Sequence, residues 1–217
     1  MAAFDRRKDT YIEGSMAEST KRKFERVDFL SDHVMALKEA IHADFILKPG
    51  DNGPGIPTHK AVLAVKSKVF RSMLETDECK VSPEKSITIH DLSYGELESL
   101  LEFFYSGTLS RDNKHVRALY LAADKYDIQY LQDICREILI SSLSSENVLD
   151  IIQLSNIPSD AILKAAAIVF LLRRNIGMIF QKSFETFALK DPSTTLEIFQ
   201  ACIRILRALS RKPTQPN

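Results

Sequence analysis

The sequence predicts an α+β fold: a small β-sheet flanked by a cluster of α-helices, followed by an all-α C-terminal extension. Three observations carry that expectation. Two short segments, 44–48 and 86–90, have strand character, and Ser86-Ile87-Thr88-Ile89-His90 alternates with period two and includes β-branched residues. Between and after them, as far as residue 139, apolar residues recur at helical spacing behind capping signals. From 144 to 209 every periodic stretch is helical.

The elements follow in order. Residues 1–24 are polar, with small basic clusters at Arg6-Arg7-Lys8 and Lys21-Arg22-Lys23, and read as a flexible polar tail. Phe29 to His42 has helical character: Val34, Leu37 and Ile41 fall on one face, and Ser31 or Asp32 is placed to cap it. After the strand at 44–48, Pro49-Gly50-Asp51-Asn52-Gly53-Pro54-Gly55 is dense in turn formers and reads as a flexible hairpin loop. Ile56 to Thr58 is the returning strand. A helical pattern begins at His59, and Ser67 is the N-cap of a second helix whose buried stripe is Val69, Phe70, Met73 and Leu74. Glu75 to Lys85 is a polar loop containing Pro83.

Ser93-Tyr94-Gly95-Glu96 fits a capping box, and Leu97, Leu100, Leu101 and Phe104 mark the apolar face behind it. Gly107 ends that helix, as a residue free to adopt positive φ. Asp112 is expected to cap the next helix, with Val116, Leu119 and Ala123 facing inward. Asp127 is expected to cap another, with the stripe Leu131, Ile134, Cys135, Ile138 and Leu139. Ser144 or Ser145 then opens a helix through Val148, Ile151 and Ile152. Pro158 suits a first helical turn. Residues 161–172 are apolar nearly all round and should be covered on more than one side. Thr194-Thr195-Leu196-Glu197 is a second capping box, leading into Phe199, Cys202, Ile203 and Leu206.

Composition excludes several function classes. With 217 residues, 45% apolar and 27% charged, the chain is long enough to bury roughly 70% of its unfolded surface. Twenty-nine basic residues cancel 29 acidic ones, which removes the overall electrostatic case for a nucleic-acid or membrane partner. The longest apolar run, Ala165 to Leu172, is far shorter than the ~20 residues that span a bilayer. Met1 to Ser15 has no apolar signal core. Cys79, Cys135 and Cys202 are far apart and odd in number, which argues against a disulfide framework and for a reducing compartment, cytoplasmic or nuclear.

No local signature of catalysis or of a cofactor is present: no GxSxG, HExxH or GxxxxGK[ST] occurs, so neither an enzyme nor a cofactor or metal site is expected. His90-Asp91 reads as polarity at a strand end. Asp44 and His59 read as a satisfied structural pair rather than acid–base groups, because a buried charge is costly unless paired. Cys79 has Lys80 beside it, a setting that lowers a thiol pKa, but a plain exposed cysteine is the simpler reading. Cys135 and Cys202 lie on apolar stripes as small core residues.

The ordered set of Asp44 in its strand, His59-Lys60 with Leu63, Ser67 with Phe70, Tyr105-Ser106-Gly107 and Ala122-Ala123-Asp124-Lys125-Tyr126 resembles the BTB/POZ domain, a protein-interaction module. The span from Leu143-Ser144-Ser145-Glu146-Asn147-Val148 onward resembles the helical three-box or BACK extension. The pattern resembles short plant proteins of BTB plus helices and, more distantly, the speckle-type POZ protein. The resemblance implies a domain over 25–140 with an N-terminal dimerisation helix, an extension over 144–209 and a loose tail at 210–217. It implies structural roles for Asp44, His59, Phe70, Tyr105 and Gly107. It implies a homodimer face at Val34, Leu37 and Ile41.

It further implies binding to the cullin-3 N-terminal domain, with Tyr126, Glu78, Cys79 and Lys80 facing the cullin, as the adaptor that brings an unidentified protein substrate to a ubiquitin ligase. A dimerisation scaffold or transcription co-regulator without ligase duty is the alternative. Cullin-binding relatives often carry a hydrophobic-x-Glu motif in the loop corresponding to 75–85; here the aligned residues read Glu78-Cys79-Lys80, and Met73-Leu74-Glu75 lies earlier, at the helix end. A substrate-recognition domain of MATH, kelch or zinc-finger type finds no room in the chain. A target would be held by the tail, the C-terminal helices or a hetero-partner.

Overall fold

The computed structural model describes residues 32–76, 85–110, 112 and 114–210. Its packing divides the chain between Ile128 and Gln129 into two compact units. This boundary lies ahead of the 140–144 junction expected from sequence. Helix 129–141 packs against helix 161–174 and belongs with the C-terminal helices.

In the first unit, a helix over 32–38 (α1) precedes a three-stranded sheet of order β2-β1-β3. β1 (Phe45–Pro49) pairs antiparallel with β2 (Ile56–Thr58) and parallel with β3 (Ser86–Ile89), Leu47 lying opposite Ile56 on one side and Ile87 on the other. β1 runs one residue into the expected loop and alternates: Phe45, Leu47 and Pro49 are buried, while Ile46 between them is exposed; in β3, where alternation was expected, only Ile89 is buried. The hairpin loop is anchored rather than slack. Asp51 accepts from the amide of Gly53 at 3.0 Å and from the amide of Tyr94 at 2.9 Å. Gly50 donates its amide to Leu92 at 2.8 Å and lies so close to His90 that an added Cβ would meet the His90 carbonyl oxygen at 2.2 Å.

Four helices complete the unit: α2 (Lys60–Lys66), α3 (Lys68–Glu75), α4 (Tyr94–Ser106), which packs on β1, and α5 (Val116–Lys125). The Ser67 hydroxyl accepts from the Phe70 amide at 3.0 Å, so the predicted cap opens α3. Glu96 reaches back to the Ser93 amide at 2.8 Å and also accepts from the Ser93 hydroxyl. Leu97, Leu100, Leu101 and Phe104 of α4 are all buried, and Gly107 closes the helix at φ 71°.

The second unit is helical: α6 (Gln129–Ser141), α7 (Val148–Asn156), α8 (Ala161–Arg174), a 3-10 turn (Ile176–Phe180), α9 (Lys182–Lys190) and α10 (Pro192–Ser210). Leu131, Cys135 and Leu139 of the predicted α6 stripe are buried. Burial pushes the Cys135 thiol up to about 12, which leaves it protonated and inert.

Several local expectations are corrected. α1 stops at 38, because Ala40 and His42 adopt positive φ and turn the chain. Asp112 accepts from Ser110 and Lys114 in a turn, and α5 starts only after His115. α7 begins after Asn147, not at Ser144 or Ser145. Asp160, rather than Pro158, opens α8: its carboxylate accepts from the amides of Ile162 and Leu163. Asp191 supplies the oxygens for α10, accepting from the Thr194 amide at 3.0 Å, with Pro192 at the first helical position. Two expected apolar faces stay open. Ile162 and Val169 of α8 are exposed, so that helix is covered on one side. Among the α10 residues whose burial is described, Thr194, Thr195 and Ile198 are buried, whereas Phe199 is 47% and Ile203 48% exposed; Leu206 of the expected stripe lies outside them.

Asp160 is the junction of the second unit. Its nearly inaccessible side chain caps α8 and accepts from Nε of Arg136 at 2.6 Å, while Arg136 Nη1 reaches Asp133 at 2.6 Å. Replacing Asp160 with alanine removes the cap and leaves a half-buried guanidinium with one partner. We expect Asp160→Ala to lower stability by about 3–5 kcal/mol, read from urea unfolding. A loss under about 1 kcal/mol, the scale of an exposed ion pair, would contradict the junction.

Candidate functional site

Two polar joints fix the surfaces of the first unit. One lies at the end of α5. Tyr126 follows the last turn, its amide bonded to the Ala122 carbonyl at 2.8 Å. Its ring stacks on Phe70 with centroids 4.7 Å apart and planes 14° from parallel, and Phe70 meets Phe104 edge-on at 6.0 Å. The Tyr126 hydroxyl donates to Asp91 Oδ1 at 2.8 Å, and Lys125 Nζ reaches the same oxygen at 2.7 Å. The Ser67 hydroxyl donates to the Tyr126 carbonyl at 2.5 Å while accepting from Phe70. One serine therefore caps α3 and tethers the end of α5.

The electrostatics follow from that geometry. Desolvation raises the Tyr126 pKa, and the hydrogen bond to the Asp91 carboxylate pushes it further in the same direction, so the phenol stays protonated as a donor. For Asp91, desolvation acts upward but is outweighed by hydrogen bonds from Lys125 and Tyr126, and the net shift is downward.

The second joint is built on His59. Nε2 lies 2.7 Å from the Ile41 carbonyl oxygen, which only accepts, so Nε2 carries the proton. In the neutral ring Nδ1 then accepts, and the Tyr105 hydroxyl at 2.6 Å donates to it. That leaves the Thr58 hydroxyl, 3.2 Å from Tyr105, to donate to the phenol oxygen. Desolvation raises the Tyr105 pKa, consistent with a neutral donor. Asp44 stands apart from this chain of bonds: its Oδ1 accepts from the Lys60 amide at 2.9 Å and caps α2 from the neighbouring strand. Asp44 and His59 thus serve separate structural bonds. Among the described residues, no group of three His, Cys, Asp or Glu side chains is placed to hold a metal ion, and no helix is long and apolar enough to cross a membrane.

The amino-acid sequence matches known proteins. The model of the BTB/POZ domain family matches residues 35–143. The chain belongs to the BTB/POZ family. A BTB/POZ domain-containing protein of Arabidopsis thaliana is 51% identical over 192 residues, covering 88% of this chain and 93% of that protein. A second from the same plant is 41% identical over 199 residues, covering 91% and 71%. Among solved structures, the BTB domain of zebrafish PATZ1 is 26% identical with a TM-score of 0.44, covering 54% of this chain and 92% of that one. BTB/POZ domains mediate protein–protein interaction and dimerisation, which sets the coarse function of this chain.

The residues expected to meet partners are distributed unevenly. Tyr126, expected to face the cullin, is only 3% exposed, its ring lying within the joint. Its neighbours form the accessible rim instead: Lys125, Asp127 and Lys68, the last two 3.6 Å apart at the surface. Glu78, Cys79 and Lys80 lie outside the described residues. Of the expected dimer face, Leu37 is 7% exposed and points into the core, Val34 is half-buried, and Ile41 sits in the turn beyond α1, 44% exposed. The outward apolar residues of this region are Met35 and Ile41. Phe70, Tyr105 and Gly107 take the structural positions described above. Sequence reasoning missed Asp91. The available signal was that a tyrosine on a helix end packed into a core needs an acceptor for its hydroxyl.

Tyr126→Phe keeps the stack and deletes the donor to Asp91; we expect a loss of about 1.5–3 kcal/mol, against about 3–5 kcal/mol for Tyr126→Ala. The Asp91 pKa is depressed in the folded state, so its contribution is present above the unfolded value of ~3.9 and is lost as pH falls through the folded pKa. Unfolding followed from pH 7 down to acid should therefore show a shallower acid limb in Asp91→Asn than in the parent. Superimposable limbs would remove Asp91 from the joint.

Proposed function

We propose that this BTB/POZ protein is a binding adaptor of a cullin-3 ubiquitin ligase, holding the cullin through the first unit and a target protein through the helical unit. The observation that carries this reading is family membership over residues 35–143 together with the rim around the end of α5. There Lys68, Lys125 and Asp127 are exposed charges mounted on the Ser67–Phe70–Tyr126–Asp91 joint. A rim held on a packed support presents its charges with little further ordering on binding. Such an adaptor forms no covalent bond to ubiquitin. It raises the effective concentration of the target beside the ligase, in the cytoplasm or nucleus.

A second reading, a dimerisation scaffold without ligase duty, is favoured by Met35 and Ile41, apolar and exposed around the end of α1, and by the departure at Glu78-Cys79-Lys80. The two readings separate in one titration series. Calorimetry of the full chain with the cullin-3 N-terminal domain is expected to show micromolar association. The double variant Lys68→Glu with Asp127→Lys should weaken it by about tenfold, or ~1.4 kcal/mol. Tyr126→Phe, where still folded, should bind as the parent does. No association at tens of micromolar, with sedimentation showing a dimer that Met35→Asp dissociates, would select the scaffold.

A further inference from the structure

We propose that the groove between α8 and α10 is a peptide-binding site for a target segment in which an apolar side chain is followed by an acidic one. This rests on the adaptor reading above and names what its target-holding unit takes. The groove encloses about 470 Å³ and lies wholly within the second unit. Its α8 wall is formed by Ala161, Ala165 and Val169, its α10 wall by Gln200, Ala201 and Arg204. Alanines at facing positions hold the helices close but leave no side chains to fill the space between them. The volume suits one or two side chains of an entering chain.

The polar features say what kind of chain fits. Asn156 lines the groove, and its Nδ2 donates to Asp191 Oδ2 at 2.9 Å and to Thr194 Oγ1 at 3.0 Å. Those bonds fix the amide, because a flip would set its oxygen against the Asp191 carboxylate. Its Oδ1 is then buried with no hydrogen-bond partner, a state that native proteins rarely leave uncompensated. That oxygen is inaccessible to solvent, so an entering peptide is held by the charged and apolar groups of the groove walls instead.

Charge selects the next position. Lys164 is neutralised by Glu197, its Nζ 3.0 Å and 3.2 Å from the two carboxylate oxygens. Arg204 is exposed on the groove wall, and no acidic group among the described residues pairs with it. Two cations and one carboxylate thus line the site, and the uncompensated charge is the guanidinium, whose fork suits a carboxylate. The exposed Val169 supplies the apolar contact at the same groove.

The test is selection of short random peptides by phage display on the full chain, followed by fluorescence polarisation with the enriched peptides. We expect enrichment of an apolar residue followed by Asp or Glu, with affinities of about 1–100 µM, as for single-segment recognition. Arg204→Glu should weaken binding by about tenfold, and exchanging the peptide's acid for Lys should restore binding to that variant. Ala165→Trp, which fills the groove from an exposed position, should abolish it while thermal unfolding and cullin-3 binding stay unchanged. No enrichment, or peptides indifferent to both variants, would overturn the site. If Ala165→Trp instead converts a dimer to monomers in sedimentation, a second copy occupies the groove and the peptide assignment fails. Peptide binding without cullin binding would leave the groove standing and remove the ligase reading. Cullin binding without peptide binding would do the reverse.

Discussion

The stack of Tyr126 on Phe70 is the contact on which the first unit turns. It joins the end of one helix to the first turn of another that lies more than 50 residues earlier, and Phe104 closes it edge-on from a third. Burial of the rings supplies most of the favourable energy, but rings alone would slide. The polar groups set the register. The Ser67 hydroxyl is spent on both sides, accepting at α3 and donating to the Tyr126 carbonyl, and Asp91 takes the phenol and an ammonium at one oxygen. Because each donor finds an acceptor, the hydrogen bonds offset the cost of desolvation and hold one geometry.

The same logic appears at His59, with a different outcome. Thr58, Tyr105, His59 and the Ile41 carbonyl form a directional chain of hydrogen bonds, each donor passing to the next acceptor. It pins the turn after α1 to the hairpin and to α4. The position of Ile41, in the turn beyond α1, is therefore held through its carbonyl by this relay, while Met35 is placed by α1 and its buried Leu37. Where the two joints differ is in their partners: the one around Asp91 contains an ion pair, whereas the one around His59 runs through hydroxyls, an imidazole and a backbone carbonyl.

Much of this fold is legible in the sequence because its signals are local. Ser67, Glu96 and Gly107 act within one helical turn of themselves, and capping chemistry depends on residue type and spacing alone. The misread positions are those where a distant group competes. Thr194 looks like a cap until Asp191, three residues earlier, offers a carboxylate to its amide. Phe199 and Ile203 look like core because periodicity reports that a face is apolar, not whether another element covers it. Tyr126 reads as an interface anchor for a related reason: an aromatic with a polar tip suits a surface and a buried joint alike, and Asp91, 35 residues away, decides between them.

The hairpin loop at 49–55 shows how far such long-range bonds reach. Its composition suggests slack chain, yet Asp51 carries the first amide of α4 and Gly50 is wedged against the backbone of His90. Lengthening or shortening the loop between Pro49 and Gly53 would pull the carboxylate off a helix that begins more than 40 residues later. Insertions that would be harmless in most β-hairpins are thus excluded between Pro49 and Gly53, and at the other end of the loop Gly55 is itself pressed against Ile46. A segment that looks like the most expendable part of the chain behaves as a fixed-length strut.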